Sequence, residues 1–206
     1  MKKYLSRIFS FVFAALLMVT MVPNIQTEVL AAKKTTVAAQ QEKAKKAYKN
    51  FLKSKKFHGK KQYDYAVVTL SSKEIPVLLV SSVRLTGTGT AKITTNAATL
   101  YSWQKGKVKK IKTLKCSSSS VYIGKKKGQI VYAKNHRSCT MVSVKNGKLS
   151  GKEFVEKYNK KTKKSQYYQY TIKNGKISKK VQISSKKGIH YIYEMETAPI
   201  YFKAIK

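Results

Sequence analysis

The sequence predicts a mainly β fold: an antiparallel meander of hairpins, forming a curved sheet, a sandwich or a partial propeller-like array, with one N-terminal α-helix. Three observations predict it. A unit of the form apolar-x-x-Gly-Lys-apolar recurs at 103–108, 144–149 and 172–177, with a looser copy at 123–130. Short runs rich in Val, Ile, Thr and Tyr lie between these units, the composition of strands. Only one segment, near residue 45, spaces its apolar residues at helical steps.

The chain opens with an address. Lys2, Lys3 and Arg7 precede an apolar run at 8–22, which Pro23 closes, and small residues follow at Ala31 and Ala32. A basic start, a short apolar middle and a small-residue end describe a secretory signal peptide over 1–31, with cleavage near Ala31 or Ala32. The run is shorter than the ~20 residues a spanning helix needs. No cysteine sits at the cleavage region, which argues against a lipid anchor. No later run approaches spanning length, so no transmembrane anchor is expected after cleavage, and the location expected is secreted or envelope-associated.

Residues 32–57 read as a linker and the N-terminal helix, and 58–206 as the β-rich domain. Ala44, Ala47, Tyr48, Phe51 and Leu52 recur at three- and four-residue steps on one helical face, with lysines between them facing water. Strands are expected at 65–70, 76–80, 99–103, 121–123, 129–133, 140–144, 167–172, 177–183, 189–195 and 200–205. Residues 77–80 are apolar enough to be buried on both faces, and Pro76 belongs at that strand's start, where a missing N–H does least harm. The glycine-rich stretch at 85–91 is a turn; it lacks the spacing and the following helix of a phosphate loop. Residues 152–158 read as a short helix. The glycines at 106, 128, 147 and 175 each mark a hairpin tip, and Asn-Gly at 146 and 174 suits the two central positions of a type I′ turn. Tyr168, Tyr170 and Ile172 share one strand face; the tyrosines are core residues before they are a stacking platform, and Trp103 is a core or strand-edge residue as readily as a ligand platform. Lysines beside the turns also protect sheet edges.

Charge is the strongest signal. The chain carries 44 Lys and Arg against 8 Asp and Glu, a net charge of +36. Removing 1–31 takes away three basic residues and one acid and leaves +34, so the charge belongs to the exported part. Only Arg84 and Arg137 of its basic residues are arginine. Arginine is the side chain for bidentate base reading, so a nearly all-lysine surface points to diffuse electrostatics with a polyanion and away from sequence-specific nucleic-acid binding.

Acids are scarce, and that limits chemistry. Asp64 is the only Asp. No serine lies in a nucleophile elbow, and His58, His136 and His190 sit at no metal-ligand spacing beyond His136 near Cys139. A glycosidase needs two carboxylates across a cleft. Glu194 and Glu196 alternate onto one strand face, and Glu153 and Glu156 lie at helical spacing; salt partners for a lysine-rich surface is the plainer role for all four. Cys116 and Cys139 are the only cysteines. In an exported chain an even number suggests one disulfide, which would close a loop of roughly 24 residues and contribute ~3 kcal/mol. The alternative is two unpaired buried thiols. No metal or other cofactor is expected.

Residues 65–80, Y-A-V-V-T-L-S-S-K-E-I-P-V-L-L-V, resemble the calcium-loop strand pair of FG-GAP and VCBS-type β-propeller repeats. They are closer still to uncharacterised exported proteins of clostridial type, which run a helix, then F-A-L-x-D-x-D-x-D-G-x-x-E-L-L-V, then tyrosine-rich hairpins ending in K-N-G-K. Tyr65, Ala66, Ile75, Leu78, Leu79 and Val80 keep the apolar frame. Thr69, Ser71 and Lys73 stand where acids would be, and Val77 stands where a Glu would be. Hard cations need several anionic oxygens, so the resemblance implies a retained fold without the ion, together with export and no defined reaction.

The function these features point to first is a secreted, non-catalytic β-domain that contacts an anionic cell-envelope polymer such as teichoic acid. The contact residues expected are the hairpin-tip lysines Lys105, Lys107, Lys145, Lys148, Lys173 and Lys176. Two other readings stand beside it: a wall or glycan hydrolase using a Glu pair, and a cationic membrane-active factor, for which no amphipathic cationic helix is visible.

Overall fold

The computed structural model describes residues 22–86, 92–117 and 122–206, with the side chains of 22–36 left aside. The start of the expected signal peptide (1–21), most of the glycine-rich turn (87–91) and part of the serine run with Val121 (118–121) lie outside the described residues. Contacts divide the chain into two units, Met1–Gln40 and Gln41–Lys206. The first is helical from Val22 onward, within helix α1 (Val22–Leu52), so the stretch at 32–37 that reads as a linker is helix. No helix among the described residues is long and apolar enough to cross a membrane.

The second unit holds every strand among the described residues. They are β1 (Asp64–Val68), β2 (Val77–Ser81), β3 (Leu85–Thr86), β4 (Ile93–Thr94), β5 (Ala97–Gln104), β6 (Lys107–Lys115), β7 (Gly124–Lys126), β8 (Gln129–Tyr132), β9 (Ser138–Lys145), β10 (Lys148–Asn159), β11 (Lys164–Lys173), β12 (Lys176–Ile183), β13 (Ala198–Pro199) and β14 (Lys203–Ala204). Sheet 1 has the order β14-β1-β2-β5-β6, and sheet 2 the order β12-β11-β10-β9-β8-β7-β13. Every pairing is antiparallel. The fold is mainly β, an array of hairpins that does not close into a barrel, and its form is a sandwich of two sheets.

Alternation along the strands builds the layers. Ala66, Val68, Val77, Leu79, Leu100 and Leu114 of sheet 1 meet Ile123, Ile130, Tyr132, Val142, Val144, Leu149 and Ile172 on the sheet 2 side in one core between the sheets. The residues between them face outward. On sheet 1, Leu78, Val80 and Tyr101 receive Ala44, Tyr48 and Leu52 of α1, the face that the three- and four-residue spacing predicts. All five residues of β2 are buried, because each face is covered. On sheet 2, Val131, Cys139, Met141 and Phe154 face away from the core, and Tyr191, Ile192 and Met195 cover them.

That last cover departs from the expected strand at 189–195. The segment is α2 (Ser185–Ile189), continued by a π-helical turn at His190–Glu194. Ser184 caps it by accepting from the Lys187 amide, and Tyr191 stacks on Phe154 with centroids 4.0 Å apart. Tyr191, Ile192 and Met195 serve one helical face as readily as a strand, and the exposed apolar patch on sheet 2 decides between them. The short helix expected at 152–158 is likewise strand. It lies in the middle of β10, hydrogen-bonded to β9 on one side and β11 on the other, and twelve residues of ladder outweigh a weak local preference. β6 has no clear counterpart in the expected strands. Five lysines obscure its pattern, and a bulge opposite Leu100/Tyr101 leaves Ile111 out of the register, which breaks the alternation expected of a strand.

The C-terminal segment ties both sheets together. β13 pairs with β7 at the edge of sheet 2, Phe202 bridges to Ile93, and β14 pairs with β1 at the edge of sheet 1.

Candidate functional site

The four glycine-marked turns share one backbone form. Positive φ occurs at both central positions: 48° and 79° at Lys105-Gly106, 43° and 74° at Lys127-Gly128, 50° and 73° at Asn146-Gly147, and 52° and 78° at Asn174-Gly175. These values mark the mirror-image turn that matches the right-handed twist of a two-residue hairpin. Because strands in a meander alternate in direction, the turns β7–β8, β9–β10 and β11–β12 all lie at the same end of sheet 2.

Sheet 1 brings its own tip to that end. Gln104 Nε2 donates to the Gly147 carbonyl at 3.5 Å. Lys112 Nζ donates to the Gly175 carbonyl at 3.5 Å, and the Gly175 amide donates to the Leu149 carbonyl at 2.8 Å. A shallow recess of about 290 Å³ lies among Gln104, Lys109, Lys110, Lys148 and Asn174. Three tips that are distant in sequence therefore form one surface, and all six lysines expected there, Lys105, Lys107, Lys145, Lys148, Lys173 and Lys176, are exposed. The fourth tip stands against the β1–β2 loop, with Gly128 close to the Leu70 carbonyl. Gln41 holds that loop by donating to the Ser72 and Glu74 carbonyls at 2.9 and 2.8 Å.

Acids are absent from the three joined tips, while Glu196 stands beside the fourth. No Asp or Glu occurs in 97–152 or in 157–193. Among the described residues, none of the six tip lysines has an ion-pair partner. Two tips set lysines directly opposite each other across the hairpin, Lys145 with Lys148 and Lys173 with Lys176. Like charges in that position cost stability. The ion pairs of the sheets lie at the other end: Arg84 with Asp64 at 2.6 Å, Lys134 with Glu153 at 2.8 Å, and Arg137 with Glu156 at 3.8 Å. Sequence reading missed Lys109 and Lys110. Their signal was the doubled lysine of K-V-K-K-I-K, and both residues border the recess between the tips.

The acids do not form a catalytic pair. Glu153 and Glu156 stand on opposite faces of β10, since Glu156 meets Tyr193 on the outer face and three residues of strand separate the two by a half-turn of the pleat. Burial opposes the Glu156 charge, but hydrogen bonds from Ser165 and Tyr193 and the field of Arg137 and His136 outweigh it and hold the carboxyl below its usual range. An ionised acceptor in that setting is a poor proton donor. The expectation that Glu194 and Glu196 share a strand face fails with the strand. Glu194 ends the π-helical turn, 3.8 Å from His190, and Glu196 follows in the connection to β13, beside Lys126 and Lys127. Trp103 is half-buried against α1. Tyr168 lies beneath Lys180 and Lys157, whose Nζ atoms are 4.1 and 5.6 Å from its ring centre.

The disulfide is absent: Cys116 and Cys139 are both buried free thiols. Cys116 belongs to the core between the sheets, and Cys139 to the cluster on the outer face of sheet 2. A sheet stands between them, and their side chains cannot meet. Burial raises both thiols, Cys139 to about 12, so neither is a reactive thiolate at neutral pH. A thiol reagent such as DTNB should label neither cysteine in the native chain and both after unfolding in guanidinium. Fast labelling of either one before unfolding would contradict this placement.

Among the described residues no three His, Cys, Asp or Glu side chains gather as a metal site would need. No family model, no curated protein and no solved structure matches the chain.

Proposed function

We propose that the chain is a secreted, non-catalytic binding domain, and that the hairpin tips at one end of its sandwich hold an anionic cell-envelope polymer, teichoic acid being the candidate. The observation that carries this reading is the convergence of three tips into one lysine surface without acids, while the ion pairs collect at the opposite end. Lysine is a strongly hydrated point charge with a flexible stem. It suits a polymer of repeating phosphates, which presents charge without a fixed register, better than it suits base reading. The resemblance of residues 65–80 to exported clostridial-type proteins supports the same location.

The test is binding of the chain to purified cell walls, with and without teichoic acid, across a salt series. Binding should require the teichoic acid, and the logarithm of the affinity should fall linearly with the logarithm of salt, as counterion release demands. Binding that survives removal of the polymer, or that ignores salt, would overturn the reading.

A further inference from the structure

Helix α1 covers only part of the outer face of sheet 1. Ala44, Tyr48 and Leu52 rest on β2 and β5, and β1 and β14 lie beside the helix instead of under it. Tyr65 and Val67 of β1 and Ile205 just after β14, with Tyr48 and Leu52 from the helix, line a groove of about 720 Å³. Val67 is 40% exposed, which is high for a valine on a strand whose neighbours on either side are buried. A second recess of about 620 Å³ shares Tyr65, Val67, Thr69 and Lys203 with the first and continues around the edge of β1 to Ile200 and Tyr201. Together they form one long channel with a mainly apolar floor.

Lysines dominate the rim. Lys49 and Lys53 project from the helix side and Lys203 from β14, and none of the three has an acidic partner among the described residues. Lys45 also borders the groove but is engaged by Glu42 at 2.7 Å. Lysine stems can lie along apolar surface while their heads remain in water. The groove therefore offers two things at once, an apolar trough and a row of unpaired cations along it. Its volume falls in the range of sites that hold small ligands.

We propose that this groove binds one anionic amphiphile, an acyl chain lying on Tyr65, Val67 and Leu52 with its phosphate or carboxylate head on Lys49, Lys53 and Lys203. A free anion would leave the apolar floor wet, and a neutral hydrocarbon would leave the lysines without counter-charge. Only a molecule with both parts satisfies floor and rim together. The site uses none of the six tip lysines and stands independently of the polymer surface.

Calorimetric titration of the full chain with dodecyl phosphate below its micelle concentration tests this, with inorganic phosphate and dodecyltrimethylammonium as the other arms. One dodecyl phosphate should bind per chain. Inorganic phosphate should bind about a hundredfold more weakly, because the acyl contribution is missing, and the cationic amphiphile about tenfold more weakly or worse. Val67→Asp should lower dodecyl phosphate affinity at least about tenfold. The exposed triple variant Lys49→Glu/Lys53→Glu/Lys203→Glu should do the same with unchanged circular dichroism, and charge reversal of the tip lysines should leave this affinity intact. Equal binding of inorganic phosphate, unsaturable uptake, indifference to both groove variants, or binding seen only after residues 1–32 are removed would overturn it; the last outcome would assign the groove to the chain's own apolar start.

Discussion

Reversing Lys105, Lys107, Lys145, Lys148, Lys173 and Lys176 to glutamate should abolish binding to the proposed anionic polymer, while reversing six lysines at the opposite end should leave most of it. The second set is Lys60, Lys61, Lys160, Lys161, Lys164 and Lys186, all exposed. Each replacement changes the charge by two, so both variants fall by twelve from +36 to the same net charge of +24. Any difference between them is therefore due to position and not to composition. Binding at the tips should lose about a hundredfold or more at moderate salt, since several polymer contacts vanish together and each carries its own salt dependence. The log–log salt slope should flatten for the tip variant and keep its steepness for the other. Both variants should melt cooperatively near the parent temperature, because all twelve side chains stand in water and surface changes of this kind cost little each. Equal losses in the two variants would mean that the charge acts as a general field, and the tip surface would have no special role.

Tyr48→Phe is the substitution of one oxygen with the largest expected cost. The Tyr48 side chain is fully buried between α1 and sheet 1. Its hydroxyl donates to the Pro76 carbonyl at 2.8 Å and accepts from the Trp103 amide at 2.8 Å. It thereby joins the helix to the start of β2 and the end of β5. Removing it strands the buried Pro76 carbonyl, at about 1–3 kcal/mol, and the part-buried Trp103 amide, at about 1 kcal/mol. The total of about 2–4 kcal/mol corresponds to a fall in Tm of roughly 5–15 °C for a chain of this size. Tyr193→Phe removes a hydroxyl that also meets Glu156, but at a residue 52% exposed, and it should cost under about 1 kcal/mol. Urea unfolding of the two variants gives the comparison directly, and a Tyr48→Phe cost no larger than the Tyr193→Phe cost would refute the account. The same burial pushes the Tyr48 phenol up to about 12. A phenol raised in the folded state contributes stability that is complete below its unfolded value near 10 and is lost as pH rises through 12. The parent chain should therefore lose stability over that alkaline window, and Tyr48→Phe should lose less of it.

The turns were legible in the sequence because their chemistry is local. Lys-Gly and Asn-Gly between apolar flanks require positive φ at two successive positions, and all four sites adopt it. The helix face of Ala44, Tyr48 and Leu52 and the doubly buried β2 were legible for the same reason, since period and composition act within a few residues. What failed depended on neighbours. Residues 152–158 form strand because β9 and β11 flank them, and 189–195 coil into helical turns because Phe154 offers a flat surface for Tyr191. The cysteine pairing failed on parity. Whether Cys116 and Cys139 share a side of sheet 2 depends on how strands 23 residues apart are registered, and nothing in the intervening sequence states that register. The six tip lysines were legible one turn at a time. Their meeting, and the presence of Lys109 and Lys110 among them, depends on two sheets packing face to face.

The closing role of residues 198–204 bears on how the molecule is made. β1 and β7 each keep an open edge until this late segment arrives, and the partners it brings together, Asp64 with Ala204 and Gly124 with Pro199, are among the most distant in the chain. Contacts of such long range slow folding, because loop closure must come before they form. Until then two strand edges are open, and charge of one sign opposes edge-to-edge pairing with neighbouring chains. Mutating Ala198 or Pro199, which pair with β7, should act less on polymer affinity than on the yield of correctly folded protein.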